Sequence, residues 1–185
     1  MTTAPTETPL ATAARDALER LTLLTPGYPT PGVLFRDLTP VFADAAAFHT
    51  LVDAMLEPFQ NEFDLVAGIE ARGFLLAAAA SYATGTGMLT IRKAGKLPGT
   101  VLSESYALEY ATATIQVHPE GIAGRRVLLM DDLVATGGTL AAAARLVSAA
   151  GGTVAGMSVA VELAQVLDSA SLPEVPLSAV QVVED

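Results

Sequence analysis

The sequence predicts a single α/β domain with a central, mostly parallel β-sheet flanked by helices. Three observations carry that expectation. Short apolar runs at 64–69, 127–130 and 154–161 have the length and composition of buried strands, and 177–183 reads as a last strand. Stripes with apolar residues three and four apart separate them, at 48–59, 74–82 and from Leu140 onward, as in helices packed on a sheet. Two of the strands also run straight into a polar turn and then a helix, and in open α/β sheets ligands sit at the carboxyl ends of the strands.

Composition narrows the class. With 185 residues, 51% of them apolar and 16% charged, the chain is expected to fold as one domain over 1–185 with a substantial core. A net charge of −10 argues against broad nucleic-acid or anionic-membrane binding. No apolar run is long enough to span a bilayer. The N-terminus has neither a basic region nor an apolar signal core, so a cytoplasmic location is expected. The absence of cysteine removes disulfides, thiolate metal sites and a cysteine nucleophile.

Residues 1–9, rich in threonine and proline, are expected to form a loose tail. From Ala11 the pattern turns helical, with Ala14, Ala17, Leu18 and Leu21 on one stripe. TPGYPTPG at 25–32 holds three prolines and two glycines, which argues against a regular element there. It leads into Val33, Leu34, Phe35, Arg36 and Asp37, either a connector or a rigid cover for a flat ligand. Asp44 is a candidate helix cap, and His49 falls off the next helical stripe, as a surface residue would. Strand 64–69 ends in Glu70-Ala71-Arg72-Gly73, an arginine and a glycine in a strand-to-helix turn suited to a diphosphate.

A short strand at 88–91 is followed by Arg92-Lys93-Ala94-Gly95-Lys96, the densest positive charge in an acidic chain. GTGMLT at 85–90 lacks the third glycine of a dinucleotide fingerprint, and AGKL at 94–97 lacks the spacing and hydroxyl of a Walker A loop. Residues 98–114 keep no period and crowd Ser103, Glu104, Ser105, Tyr106, Glu109 and Tyr110 together. They read as a long functional loop or a hairpin, with 115–117 as an edge strand and His118-Pro119 as a structural turn. Gly151-Gly152 ends the helix that starts near Leu140, and strand 154–161 runs out at Glu162-Leu163.

The most informative stretch is VLLMDDLVATGGT at 127–139. Four apolar residues meet Asp131 and Asp132, and adjacent strand side chains point to opposite faces. Both acids can serve one ligand only if the strand ends and turns there. They could then accept hydrogen bonds from a cis-diol, or help hold a divalent cation. The small residues that follow let backbone N–H groups wrap a phosphate, and Thr136 and Thr139 add hydroxyls. The helix dipole contributes on the order of half a positive charge at that end. A diol at one end and a phosphate at the other describes a sugar phosphate.

This stretch resembles the phosphoribosyl diphosphate motif of the type I phosphoribosyltransferases. GVLFRDLTP at 32–40, GIEARGF at 68–74, IRKAGKLPG at 91–99 and YALEY at 106–110 extend the resemblance over roughly residues 25–165, and the set points to the adenine-specific members. The resemblance implies a type I phosphoribosyltransferase fold with a small N-terminal base-binding hood and a flexible lid loop. It also implies transfer of ribosyl 5-phosphate from 5-phosphoribosyl 1-diphosphate to adenine, giving AMP and diphosphate in purine salvage. Mg²⁺ would be held mainly by the substrate diphosphate, without a dedicated protein cage, and the enzyme would be a homodimer.

By position, Ala135, Thr136, Gly137, Gly138 and Thr139 would cradle the 5-phosphate, and Asp131 and Asp132 would bind the ribose hydroxyls. Ala71, Arg72 and Gly73 would face the diphosphate with Arg92, Lys93 and Lys96, and the Glu70–Ala71 turn would hold a non-proline cis peptide. Adenine would lie between Phe35 and Leu163, its edge read by the backbone of Leu34 and Arg36. Glu109 would handle a proton on the adenine imidazole ring, and Tyr110 would help close the lid; with Arg72 these are the expected catalytic residues. Ala111 stands where many relatives have glycine. Two other readings fit the motif alone: transfer to another purine base, or a phosphoribosyl diphosphate-sensing regulator. Neither a lysine or acid suitably placed near Leu163 nor a basic nucleic-acid surface supports them.

Overall fold

The computed structural model describes residues 8–107 and 112–184. Helix α1 (Pro9–Leu21) opens with Thr8 as its cap: the Thr8 hydroxyl accepts from the Ala11 N–H at 3.0 Å, and Pro9 occupies the first turn. Thr8 and Pro9 therefore belong to the helix and not to the expected tail. A Thr-Pro start is a capping signal, which a search for apolar spacing does not register.

Strands β1 (Leu23–Pro26) and β2 (Leu34–Asp37) form a separate two-stranded antiparallel hairpin. Strand β1 thus enters the stretch expected to hold no regular element at Thr25 and Pro26 only, while 27–32 hold neither helix nor strand, as expected. Pro26 closes the ladder opposite Leu34, at the end of a ribbon where a missing N–H is tolerated. The Gly27 N–H donates to the Val33 carbonyl at 2.7 Å, and the Tyr28–Pro29 peptide is cis. Helix α2 (Thr39–Ala43) leads to α3 (Ala45–Leu56), whose cap Asp44 accepts from the Ala47 N–H at 2.9 Å. His49 is exposed on α3, as expected, 3.1 Å from Asp53.

The main sheet is built from β3 (Leu65–Ile69), β4 (Gly87–Lys93), β5 (Leu102–Ala107), β6 (Thr112–Val117), β7 (Arg126–Val134), β8 (Thr153–Leu163) and β9 (Leu177–Val183). Its order is β5-β6-β4-β3-β7-β8-β9. The five strands from β4 to β9 are parallel, and β6 and β5 are antiparallel additions. Helix α4 (Gly73–Thr84) follows β3, and α5 (Gly138–Ala149) follows β7. Adjacent strand residues feed opposite faces. Leu128 and Met130 join Leu18, Leu51, Met55 and Leu76 in one core, while Val127 and Leu129 join Ile91, Leu140 and Val147 in the other.

Four boundaries differ from expectation. β4 runs through Arg92 and Lys93, placing two of the basic residues on a strand. β5 and β6 make a hairpin of much of 98–114, and β5, not β6, is the edge. β7 continues past both aspartates to Val134, so the strand does not end at the acids as a shared ligand was expected to require; its pairing with β3 stops at Met130, and Asp131 beside Gly73 and Asp132 beside Arg72 both still reach the start of α4. β8 continues to Leu163. In the last two cases the polar residues are followed by further pairing: after Asp131 and Asp132, Leu133 pairs with Val161 and Val134 with Glu162, and after Glu162, Leu163 pairs with Val183.

The chain leaves β3 toward β4 on one side, while β7 lies on the other. The crevice beyond β3 and β7 is thus the topological switch point, the place where open α/β sheets take ligands. Glycines bring its walls together. A Cβ on Gly68 would lie 2.6 Å from the Gly73 carbonyl oxygen, and one on Gly73 would lie 2.7 Å from that of Met130. Gly68→Ala is therefore expected to destabilise the fold by about 1–3 kcal/mol, because backbone atoms have to move. The urea midpoint measures this, and an unchanged midpoint would show slack in the turn.

Candidate active site

Two helix N-termini open onto the crevice. The turn at Glu70–Gly73 contains the expected cis peptide between Glu70 and Ala71 and delivers the first turn of α4. Arg72 is the capping position of α4, with no side chain bonded to the helix N–H groups. Beside it the Glu70 carboxylate accepts from the Lys93 N–H at 2.9 Å and faces Arg92 Nε at 3.4 Å. The Lys93 N–H and then the Arg92 charge hold this carboxyl below its ordinary pKa. Arg92 also donates to the Lys96 carbonyl at 3.4 Å, and Gln116 accepts from the Gly95 N–H at 3.0 Å. Arg92, Lys93 and Lys96 are thus gathered at one strand end, with both lysines exposed.

At the second turn, Gly137 caps α5 in a left-handed conformation (φ 87°) that favours glycine. It has no side chain to occupy the first N–H groups of α5, so these donors remain open to an anion. Thr136 is exposed before it, and Gly138 and Thr139 form the first turn. Ala135 is half-buried just past the end of β7.

Between the two turns stand the acids. Asp132 is only 6% exposed, and its Oδ2 lies 2.7 Å from Arg72 Nη2. That oxygen makes no aligned hydrogen bond, so the contact is a charge pair with capacity left for a donor. Asp131 Oδ1 accepts from the Asp132 N–H at 2.9 Å. Burial, and then the neighbouring Asp132 charge, push the Asp131 carboxyl well above its usual pKa. Burial also raises Asp132, with Arg72 opposing. The cost of holding two carboxylates here is a cost of desolvation.

Arg72 ties this pair to the hairpin. Its Nη1 donates to the Arg36 carbonyl at 3.4 Å and lies 4.0 Å from Asp37, and its guanidinium sits 5.6 Å from the Phe35 ring centroid. Phe35 meets Tyr28 edge-on at 5.1 Å, and Leu34 is exposed beside it. The structure therefore joins Phe35, Arg36, Arg72 and Asp132. Leu163 stands at the same sheet edge but packs on the core of the α3 face. Glu109 and Tyr110 lie outside the described residues.

The bracing roles of Asp37 and Glu70 were not assigned from sequence. Asp37 accepts from the Thr39 hydroxyl and from the Thr39 N–H at 2.9 Å, bonds that in that order hold its carboxyl below its usual pKa and fix the hairpin's exit. Both lie inside motifs that were recognised, and a charged residue at a strand end was the available signal.

The phosphoribosyl transferase domain family matches residues 44–176. An adenine phosphoribosyltransferase of Renibacterium salmoninarum is 59% identical over 151 residues, 81% of this chain and 83% of that protein. The chain belongs to the adenine phosphoribosyltransferase family. Among solved structures, the adenine phosphoribosyltransferase of Rhodothermus marinus superposes with a TM-score of 0.87 at 42% identity, covering 94% of this chain and 99% of that one. The Saccharomyces cerevisiae adenine phosphoribosyltransferase, solved with an imino-altritol bisphosphate and adenine, gives 0.84 at 32% identity, covering 92% and 99%. The expected mostly parallel α/β fold of this family is the fold observed.

The raised Asp131 pKa has a sign that can be checked. The folded state holds this proton more tightly than the unfolded chain, so its contribution favours folding at low pH and is lost as pH rises through the folded pKa. Asp131→Asn is expected to stabilise the protein by about 0.5–2 kcal/mol at pH 7 while weakening substrate binding. Thermal melts of both proteins should converge toward pH 4, and a gap that widens on acidification would contradict the assignment.

Proposed function

We propose that this chain transfers ribosyl 5-phosphate from 5-phosphoribosyl 1-diphosphate to adenine, releasing diphosphate and forming AMP. The observation that carries the reading is the pair of helix N-termini, both without side-chain caps, that flank one acid pair at the switch point. A ligand with an anion at each end and a diol between them matches that spacing of donors and acceptors.

In this reading the Ala135–Thr139 turn takes the 5-phosphate, Asp131 and Asp132 accept from the ribose hydroxyls, and Ala71–Gly73 with Arg92, Lys93 and Lys96 receives the diphosphate. Asp132 and Arg72 then exchange part of their mutual contact for contacts with substrate. Adenine lies on Phe35, its edge read by the Leu34 and Arg36 backbone, with Leu163 opposite. The adenine ring nitrogen attacks C1 as the bond to diphosphate breaks, and Glu109 takes the imidazole proton. Tyr110 helps exclude water that would hydrolyse the activated sugar.

Mg²⁺ fits the donor set. The described residues contain no group of three or more His, Cys, Asp or Glu side chains, but Mg²⁺ characteristically uses one or two carboxylates together with substrate phosphates. Asp131 and Asp132 would supply those carboxylates, and a cation nearby would oppose the burial that raises their pKa values. The chemistry Mg²⁺ would supply there is positive charge against the diphosphate leaving group. A homodimer is supported by α4, which exposes Leu75 (52%) and Tyr82 (92%) seven residues apart on one face. A cytoplasmic location is in keeping with a purine salvage role, and no helix among the described residues is long and apolar enough to cross a membrane.

With Mg²⁺ and phosphoribosyl diphosphate, the protein is expected to form AMP from adenine and far less product from hypoxanthine or guanine. Equal turnover of guanine would overturn the base assignment. Glu109→Ala is expected to lower kcat by about 10²-fold or more, the scale of losing a general acid–base group. An unchanged kcat would remove Glu109 from the proton transfer.

A further inference from the structure

The phosphate turn is not self-supporting. Gly137, at φ 87°, packs so closely under the segment after β8 that a Cβ there would lie 3.2 Å from both Leu167 Cδ1 and Leu172 Cδ2. The Asp168 N–H donates to the Thr136 carbonyl at 3.3 Å, a bond between this segment and the turn itself. Leu167 and Leu172 are in turn anchored on the core of the α5 face. The segment starts at the other end of the ligand site. The Leu167 N–H donates to the carbonyl of Leu163 at 3.2 Å, so one short stretch begins at the residue placed against adenine and ends on the 5-phosphate turn.

The geometry points to residues 163–172 as a positioning strut. Leu172 and the Asp168 N–H set the shape of the Thr136–Gly137 turn, and the strut mechanically joins the base end of the site to its phosphate end. This rests on the proposed placement of adenine and 5-phosphate. A turn whose N–H groups must converge on one phosphate gains affinity from being held in that shape before the ligand arrives. Neither Leu172 nor Asp168 needs to touch the ligand for this to hold.

Asp168 allows a clean separation of roles. Its φ of −87° lies near the range proline adopts, so Asp168→Pro deletes the N–H. Its side chain separately accepts from the Ala170 N–H at 3.2 Å, and Asp168→Ala removes that contact while keeping the N–H to Thr136. Calorimetry with phosphoribosyl diphosphate, AMP and inorganic diphosphate reads the result. Asp168→Pro is expected to raise the Kd of phosphoribosyl diphosphate and AMP about 10-fold over Asp168→Ala, with diphosphate binding unchanged. Leu172→Ala should do the same and Leu172→Met should stay near the parent, which keeps the idea testable if the proline variant does not fold. Equal Kd values for Asp168→Pro and Asp168→Ala, or a loss shared by diphosphate, would overturn the strut. Failure of the parent protein to bind AMP or make it from adenine would instead overturn the functional reading beneath it.

Discussion

The ligand edge depends on one constraint: how closely the backbone crosses itself where β3 turns into α4 beside β7. Gly68 and Gly73 allow carbonyl oxygens to approach positions that a methyl group would fill. That approach sets the distance between the two helix N-termini and places Asp131 against the start of α4. Larger residues at either position would spread the turns apart, and with them the donors that converge on a single ligand.

The same closeness creates an electrostatic burden. Two adjacent carboxylates are drawn out of water at the end of β7, and Arg72 offsets only part of that loss. An apolar pair would suit the sheet better, so the acids mark a place where folding gives way to ligand chemistry. Arg72 resolves the conflict by lying over Phe35 and under the Arg36 carbonyl, so that one guanidinium holds the hairpin and steadies the acid pair. The hairpin itself is largely exposed and contributes little core.

Much of this was legible in the sequence. Strand segments buried on both faces, such as β3 and Val127–Met130 of β7, read as uninterrupted apolar runs, and α3 reads from its Asp44 cap and apolar stripe. The two strand–turn–helix motifs point to the crevice beyond β3 and β7, where the ligand is proposed to bind, from the residue pattern alone. What escaped were features without a periodic side-chain signal. The hairpin at 23–37 is short, exposed and crowded with prolines. β5 and β6 mix serine, threonine and glutamate on a sheet extension that needs no apolar run. The Arg72–Asp132 pair joins residues far apart in sequence, and the Asp168–Thr136 bond runs between backbone groups, which every residue carries alike.

The gathering of Arg92, Lys93 and Lys96 at the end of β4 has a kinetic consequence. With Arg72 they make up four of the ten lysine and arginine residues of a chain whose net charge is −10, all at one edge. Seen from afar, such a molecule repels a polyanion; seen from the mouth of the crevice, it attracts one. Salt at physiological strength screens beyond about 8 Å, which removes much of the distant repulsion and leaves the short-range pull largely intact. Encounter with a diphosphate is thereby biased toward the one face where its charge is met, and the acidic remainder of the surface discourages it from lingering elsewhere.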